Sequence, residues 1–137
     1  MGKIQSACEA VLGIVRGVSG IRTAPDSPPS KMSSYPVAIC YPGPGTFSRD
    51  NASATRKLTT LVLEVHVAYK DLDRDYRVLL PLADAVTDAL LADITIDGAV
   101  DTILANDGIG FSGLTTLGYP PDNTIGFRWE IPTKIRE

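Results

Sequence analysis

One long alternating segment, residues 58–69, constrains the fold more than any other part of the chain. Its side chains divide into two interleaved sets, the first being Leu61, Leu63, Val65, Val67 and Tyr69 and the second Thr60, Val62, Glu64, His66 and Ala68. A repeat of two residues is the period at which side chains of a β-strand point to opposite faces of a sheet. The segment therefore predicts a long strand, for which the fold has to supply partner strands.

Two other segments have the spacing of amphipathic helices. Apolar residues recur every three or four positions between residues 3 and 18, and glycines follow as a stop signal. The second segment opens at the acidic residues 71–75 and continues to about Ala92. Pro81 interrupts it, and proline in a helix interior costs about 3 kcal/mol. We therefore expect the regular helix to begin near Leu80, with Pro81 in its first turn, in preference to a helix kinked at Pro81.

Further segments rich in β-forming residues complete the fold prediction. Asn106-Asp107-Gly108 is a strong hairpin signal between two of them. The predicted strands are 35–41, 94–105 with a turn at Asp97-Gly98, 109–118 and 124–135. The order helix, strands, helix, strands predicts an α+β fold, in which a mostly antiparallel β-sheet has two α-helices packed on one face.

The polar stretch 43–57, rich in proline and glycine at its start, predicts a long exposed loop or hairpin tip. A solvated tip has the same composition, but a loop of this length in a compact domain is usually functional or disordered. Charge is concentrated there in Arg49, Asp50, Arg56 and Lys57. These four residues are our candidates for partner binding.

Length and composition predict a single domain, 1–137, with 44% apolar residues. A chain of this length buries about 70% of its unfolded surface, so Cys8 and Cys40 are not needed as a structural disulfide. No apolar run reaches the roughly 18 to 20 residues of a membrane span. Glu9 interrupts the segment that a signal peptide would need. We expect a reducing cytoplasm and no membrane partner.

The sequence offers little for catalysis or metal binding. The one histidine, His66, lies in the long strand, and no signal positions a Ser or Cys nucleophile. We expect it to be half-exposed and not catalytic. The Asp-x-Asp-x-Asp motif at 71–75 has the spacing that opens a calcium loop, but Tyr76 and Leu82 stand where that loop needs Gly and Glu. An acidic helix start is the better interpretation, and no metal or cofactor is expected.

The net charge of −3 hides two oppositely charged halves. Residues 1–70 carry eight Lys/Arg and four Asp/Glu, for +4, whereas residues 71–137 carry five and twelve, for −7. This polarity suits association with a copy of the chain or another protein, and it does not suit a nucleic-acid reader. Asp84 and Asp88 form a like-charge pair on the second helix, which either faces solvent or lines an acidic surface in an oligomer.

The types of these predicted helices, strands and loop, and their order along the chain, resemble those of the tail terminator (tail-completion) proteins of long-tailed bacteriophages. The resemblance spans nearly the whole chain as an order of elements, without a diagnostic motif. It is carried by the opening amphipathic helix, the Tyr35-Pro36 strand entry, the polar loop, the strand 61–67, the Asp-rich helix ending Ala89-Leu90-Leu91, and the closing strand 126–131.

The resemblance implies a structural virion protein that is not an enzyme. It implies a homo-oligomeric ring, commonly a hexamer, that caps the tail tube, ends its polymerisation and joins the tail to the head. The implied partners are copies of itself, the tail tube protein and the head–tail connector protein. The ring assembles in the host cytoplasm and lies in the tail or neck of the virion, and DNA passes through it without sequence-specific binding. An acidic lumen that includes Asp84 and Asp88 would keep DNA from adhering.

Two alternatives remain open. The first is a head–tail connector (neck) protein of the same assembly. The second is a small ligand-binding or enzymatic α+β domain, which would be marked by a closed polar pocket reaching His66 or Glu64.

Overall fold

The computed structural model describes residues 2–51, 54–96, 98–100, 102–103, 108–119 and 123–136. Their elements, in chain order, are α1 (Lys3–Arg16), β1 (Val37–Asn51), β2 (Ala54–Ala68), α2 (Leu72–Leu91), β3 (Thr102–Ile103), β4 (Gly110–Phe111), β5 (Thr115–Thr116) and β6 (Thr124–Arg136). The six strands form one antiparallel sheet, and both helices contact it. The predicted α+β fold is therefore confirmed.

β2 is the central strand of the sheet, which has the order β1–β2–β6–β3. It pairs with β1 on one side and with β6 on the other along almost its whole length. The three two-residue strands β3, β4 and β5 pair one after another along the far side of β6. Together they act as one interrupted edge strand, and β1 forms the opposite edge.

The main core lies between the helices and one face of the sheet. Trp129 of β6 is fully buried there, and its indole Nε1 donates to Thr87 Oγ1 of α2 at 3.0 Å. The helices contribute Ala7, Cys8, Val11, Leu12 and Val15 from α1 and Leu79, Leu82, Val86 and Leu90 from α2. β2 contributes Leu61, Leu63, Val65 and Val67. These β2 residues belong to one alternating set of the sequence, so the strand period is confirmed.

The other face of the sheet is covered by residues from irregular segments. A second buried apolar cluster lies there, consisting of Met32, Val37 and Ile39. Tyr119 packs against this cluster, and its hydroxyl donates to the Pro29 carbonyl. His66 is 0% exposed under this layer, so the prediction of a half-exposed histidine is wrong. Met32 and Tyr119 are far from His66 in the chain, which is why strand alternation alone did not reveal the burial.

Of the two structures predicted for 43–57, a long exposed loop or a hairpin tip, the structure shows a hairpin. β1 and β2 continue through most of this stretch, and residues 52–53 lie outside the described residues. Prolines are tolerated because β1 is an edge strand, where Pro42 and Pro44 need not donate to a further strand. A register shift between Pro42 and Gly45 accommodates the second proline. Gly45 lies so close to β2 that a Cβ there would collide with a backbone carbonyl.

α2 contains Pro81 in its interior, so the expectation of a regular helix beginning near Leu80 is wrong. Asp71 caps the helix, and Asp75 accepts hydrogen bonds from the backbone N–H groups of residues 70 and 71. Buried side chains before and after the proline hold both halves of the helix in the core. Pro81 itself is exposed, and the carbonyl that it leaves without an N–H partner belongs to another exposed residue. Tertiary packing thus outweighs the local cost of proline.

The predicted strand at 94–105 is wrong for residues 94–96 and 98–100, which form hydrogen-bonded turns. Ile96 has a φ of 51° and Gly98 a φ of 79°, a left-handed conformation that ends β pairing. Within the predicted strand, residues Thr102–Ile103 pair with β6 as β3. Two predicted turn sequences fall on residues outside the described ones, namely Asp97 and Asn106-Asp107.

The two remaining strand predictions have different outcomes. The strand at 109–118 is present only as β4 and β5, whereas β6 confirms the strand at 124–135. Neither of the two described helices is long and apolar enough to cross a membrane.

Candidate functional site

Five polar side chains form a connected network on the face of the sheet opposite the helices. Glu64 of β2 lies at its centre, because alternation places it on the same face as His66 and pairing places it opposite Arg128 of β6. Its Oε2 accepts hydrogen bonds from Arg128 Nε at 2.8 Å and from the Tyr41 hydroxyl at 2.7 Å. Its Oε1 lies 2.9 Å from His66 Nε2, and His66 Nδ1 lies 2.7 Å from Thr124 Oγ1. Three strands are thereby joined.

The network holds the Glu64 carboxylate in its ionised form. Burial alone would raise its pKa, but hydrogen bonds from His66, Tyr41 and Arg128 outweigh burial and lower the pKa to about 2. Burial and the hydrogen bond to Glu64 raise the pKa of Tyr41 to about 12. The hydrogen bond to Glu64 also raises the pKa of Arg128. Because an ionised carboxylate only accepts hydrogen bonds, Nε2 of His66 is the donor in its contact with Glu64.

This arrangement suits support of the sheet better than proton transfer by Glu64. A general base works best when its pKa lies near the working pH, and a pKa of about 2 is far below neutrality. Both ring nitrogens of His66 are engaged, and the Tyr119 ring lies edge-on to it at 5.8 Å. Sequence reasoning placed Glu64 and His66 on one face, but it missed their partners, which come from other strands.

The predicted partner-binding residues lie on a surface that we call the distal hairpin, residues 43–51 of β1 and 54–57 of β2. Phe47 is its main apolar side chain, with 63% of its surface exposed, and Lys57 Nζ lies 5.9 Å from the ring centre. Alternation places Arg49 on the same face as Phe47, and pairing places Lys57 there too. Arg56 lies on the opposite face, and the side chain of Asp50 lies outside the described residues.

Phe47 is the member of this surface that sequence reasoning missed. A single aromatic residue among serine, glycine, arginine and asparagine was the available signal. Aromatic and arginine side chains are enriched in protein interfaces, whereas lysine is depleted. The structure therefore places Arg49 and Lys57 on the same face of the hairpin as an exposed aromatic ring.

The second pair of predicted residues, Asp84 and Asp88, lies exposed on α2. Leu80 and Leu91 flank the pair and are themselves 49% and 50% exposed. At 100° per residue these four side chains fall within about 80° of the helix circumference. We call this surface the acidic stripe, defined as Leu80, Asp84, Asp88 and Leu91. The two exposed leucines were not identified from the sequence.

The three carboxylates of the Asp-x-Asp-x-Asp motif have separate structural partners. Asp71 accepts from the Arg74 backbone N–H, Asp73 pairs with Arg77 at 3.3 Å, and Asp75 accepts from two backbone N–H groups at the helix start. Within the described residues, no group of three or more His, Cys, Asp or Glu side chains is arranged to hold a metal ion. The motif acts as a helix start.

Cys8 of α1 and Cys40 of β1 are free thiols that contact each other in the core. A hydrogen bond from the Cys40 thiol lowers the pKa of Cys8, and the same bond together with burial raises the pKa of Cys40. Both residues line a pocket of about 470 Å³ between α1 and β1. One thiol of the pair therefore has a lowered pKa and the other a raised pKa.

Comparison of the chain with models of known protein families and with curated protein sequences found no match in either. Function therefore has to be inferred from the order of elements and from the surfaces just described.

Proposed function

We propose that this chain is a structural assembly protein of a long-tailed bacteriophage. It acts as a tail terminator, which binds the end of the tail tube as a homo-oligomeric ring, stops tube growth and joins the tail to the head. The resemblance of the whole chain to that family suggests this function, and the α+β fold agrees with it. The observation that carries the proposal is the distal hairpin with its exposed Phe47.

The distal hairpin is a projecting contact surface. β1 and β2 have 15 residues each, about 50 Å at 3.3 Å per residue, whereas α1 has 14 residues and spans about 21 Å. The distal part of β1 is therefore largely outside the core, with Phe47 and Arg49 exposed. An exposed edge strand with an aromatic side chain is a surface that another chain can cover.

A ring also agrees with the charge distribution. Closed rings use heterologous interfaces, in which one patch of a subunit meets a different patch of the next. The cationic distal hairpin and the acidic stripe are two such different patches on one chain. Opposite charges aid encounter and register more than affinity.

The test is tube polymerisation. The tail tube protein of the same phage is polymerised with and without this protein, and tube lengths and tube ends are measured by electron microscopy. A terminator shortens the tubes at substoichiometric amounts and adds a ring of density at one end. The variant Phe47→Asp should lose this effect, whereas the exposed control Lys3→Glu on α1 should retain it.

Two results would contradict the proposal. In the first, tube lengths do not change at any protein ratio. In the second, the protein binds neck components in a pull-down and leaves tubes unaffected, which would identify the head–tail connector alternative instead.

A further inference from the structure

We infer that the distal hairpin of one copy docks onto the acidic stripe of α2 in the next copy. This inference deepens the proposed function by naming the partner of the hairpin, and its place in a ring rests on that proposal. In each contact, the hairpin of one copy is covered by the stripe of a second copy of this chain.

The hairpin supplies an apolar anchor beside cations. Phe47 is 63% exposed, so most of its side chain is left uncovered by the described residues of its own chain. Arg49 follows two residues later on the same face, about 7 Å further along the strand. Within the described part of the chain, Arg49 has no ion-pair partner.

The acidic stripe supplies the complementary groups. Leu80 is 49% exposed, and Asp84 follows it by one helical turn, about 6 Å along the axis. Among the described residues, neither Asp84 nor Asp88 forms an ion pair. Leu91 extends the apolar part of the stripe beyond the two carboxylates.

The two spacings match. When Phe47 packs on Leu80, the strand carries Arg49 to the height of Asp84, because two strand residues and four helix residues advance by nearly the same distance. One contact thus covers two exposed apolar groups and pairs Arg49 with Asp84, neither of which forms an ion pair among the described residues. Aromatic and arginine side chains are also the residues that dominate interface energies.

The contact is heterologous, since the hairpin and the stripe are different surfaces. Each copy that docks by its hairpin still presents a free stripe, and each copy that docks by its stripe still presents a free hairpin. Association therefore continues beyond a dimer until a ring closes. An isologous dimer, in which the same patch meets itself, does not follow from this geometry.

The experiment uses two variants of the full chain with complementary defects. The hairpin variant carries Phe47→Asp and Arg49→Glu, and the stripe variant carries Asp84→Arg and Asp88→Arg. All four positions are exposed, so folding should be retained, and circular dichroism with thermal unfolding checks this. The controls are Lys3→Glu on α1 and Glu130→Arg on β6, which are exposed positions on other surfaces.

The expected masses are distinct. By analytical ultracentrifugation, wild type and controls form oligomers larger than dimers, and each defective variant associates at least about tenfold more weakly. An equimolar mixture of the two variants regains association, because it contains one intact hairpin-to-stripe contact and brings the reversed charges of the two variants together. A double variant that carries both Arg49→Asp and Asp84→Arg in one chain should recover part of the association that either substitution alone removes.

Several outcomes would overturn the inference: a wild-type protein that stays monomeric, variants that assemble as wild type does, or a mixture that stays monomeric. The tube assay separates this inference from the proposed function. Complementation without any effect on tubes leaves the docking contact standing and removes the terminator role. If the protein caps tubes but the two variants do not complement each other, the terminator role stands and the docking contact is ruled out.

Discussion

Arg128 lies directly opposite Glu64 in the pairing of β6 with β2, and its Nε donates to Glu64 Oε2 at 2.8 Å. The same carboxylate accepts from Tyr41 of β1 and contacts His66 two residues along β2. A buried charge is costly unless it is paired and hydrogen-bonded, and here three donors compensate it. The network therefore links three strands at the face of the sheet away from the helices.

Glu64 should make stability depend on acid pH. Its folded pKa of about 2 lies below the ordinary 4.5, so its contribution is complete above pH 4.5 and is lost as pH falls from 4.5 towards 2. Urea unfolding of wild type and Glu64→Gln across this range should show a stability difference that shrinks by up to about 3 kcal/mol. Parallel stability curves for the two proteins would contradict this account.

Gly126 should tolerate no side chain. A Cβ at this position in β6 would collide with the Val65 carbonyl of β2, and the backbone there is part of the sheet. Gly126→Ala should reduce the free energy of unfolding by about 3 kcal/mol, the upper end of the usual cost of overpacking. Gly13→Ala is the matched control, because Gly13 lies in α1 with no atom near its added Cβ, and it should gain about 0.5–1 kcal/mol. Equal effects at the two glycines would count against this packing.

Removing the interior proline of α2 should stabilise the protein. Pro81→Ala restores a backbone N–H to the helix at an exposed position, and alanine is the better helix former by about 3 kcal/mol in isolation. Since the unfolded chain also gains freedom, we expect a net gain of about 1–2 kcal/mol in thermal or urea unfolding. Pro44→Ala in the irregular edge of β1 is the control and should change stability by less than about 0.5 kcal/mol. A loss of stability in Pro81→Ala would contradict the placement of Pro81 in the helix.

Cys8 should react before Cys40. The thiolate is the nucleophile, and the hydrogen bond from Cys40 lowers the pKa of Cys8 while that of Cys40 is raised. Limited treatment with iodoacetamide near pH 8, followed by peptide mass spectrometry, should find Cys8 modified at least several-fold faster. Cys40→Ala removes the donor and should slow the labelling of Cys8. Faster labelling of Cys40 in the wild-type protein would reverse the assigned direction of the hydrogen bond.

Periodic segments could be predicted from the sequence because their signal is local. The alternation at 58–69 and 124–135 predicted β2 and β6, and the spacing at 3–18 predicted α1. The sequence-based predictions were wrong where packing or strand pairing with a distant segment determines the conformation or burial of a residue. Proline and glycine at 42–45 indicate a loop in isolation, but at the edge of a sheet they are compatible with a strand.

The candidate contact surfaces also contain some residues that the sequence identifies and others that only the structure identifies. Arg49, Lys57, Asp84 and Asp88 could be selected from charge and position in the chain, since a local concentration of charge is visible in the sequence. Phe47, Leu80 and Leu91 could not, because an apolar residue reveals its exposure only when the packing of the rest is known.

Local chemistry thus determined the identity of most elements, their order and the opposite charges of the two halves. The tertiary structure alone decided that His66 is buried, that Glu64 meets Arg128 and Tyr41, and that α2 runs through Pro81. The physical reason is that periodicity is a property of neighbouring residues, whereas burial and strand register depend on contacts between residues far apart in the chain.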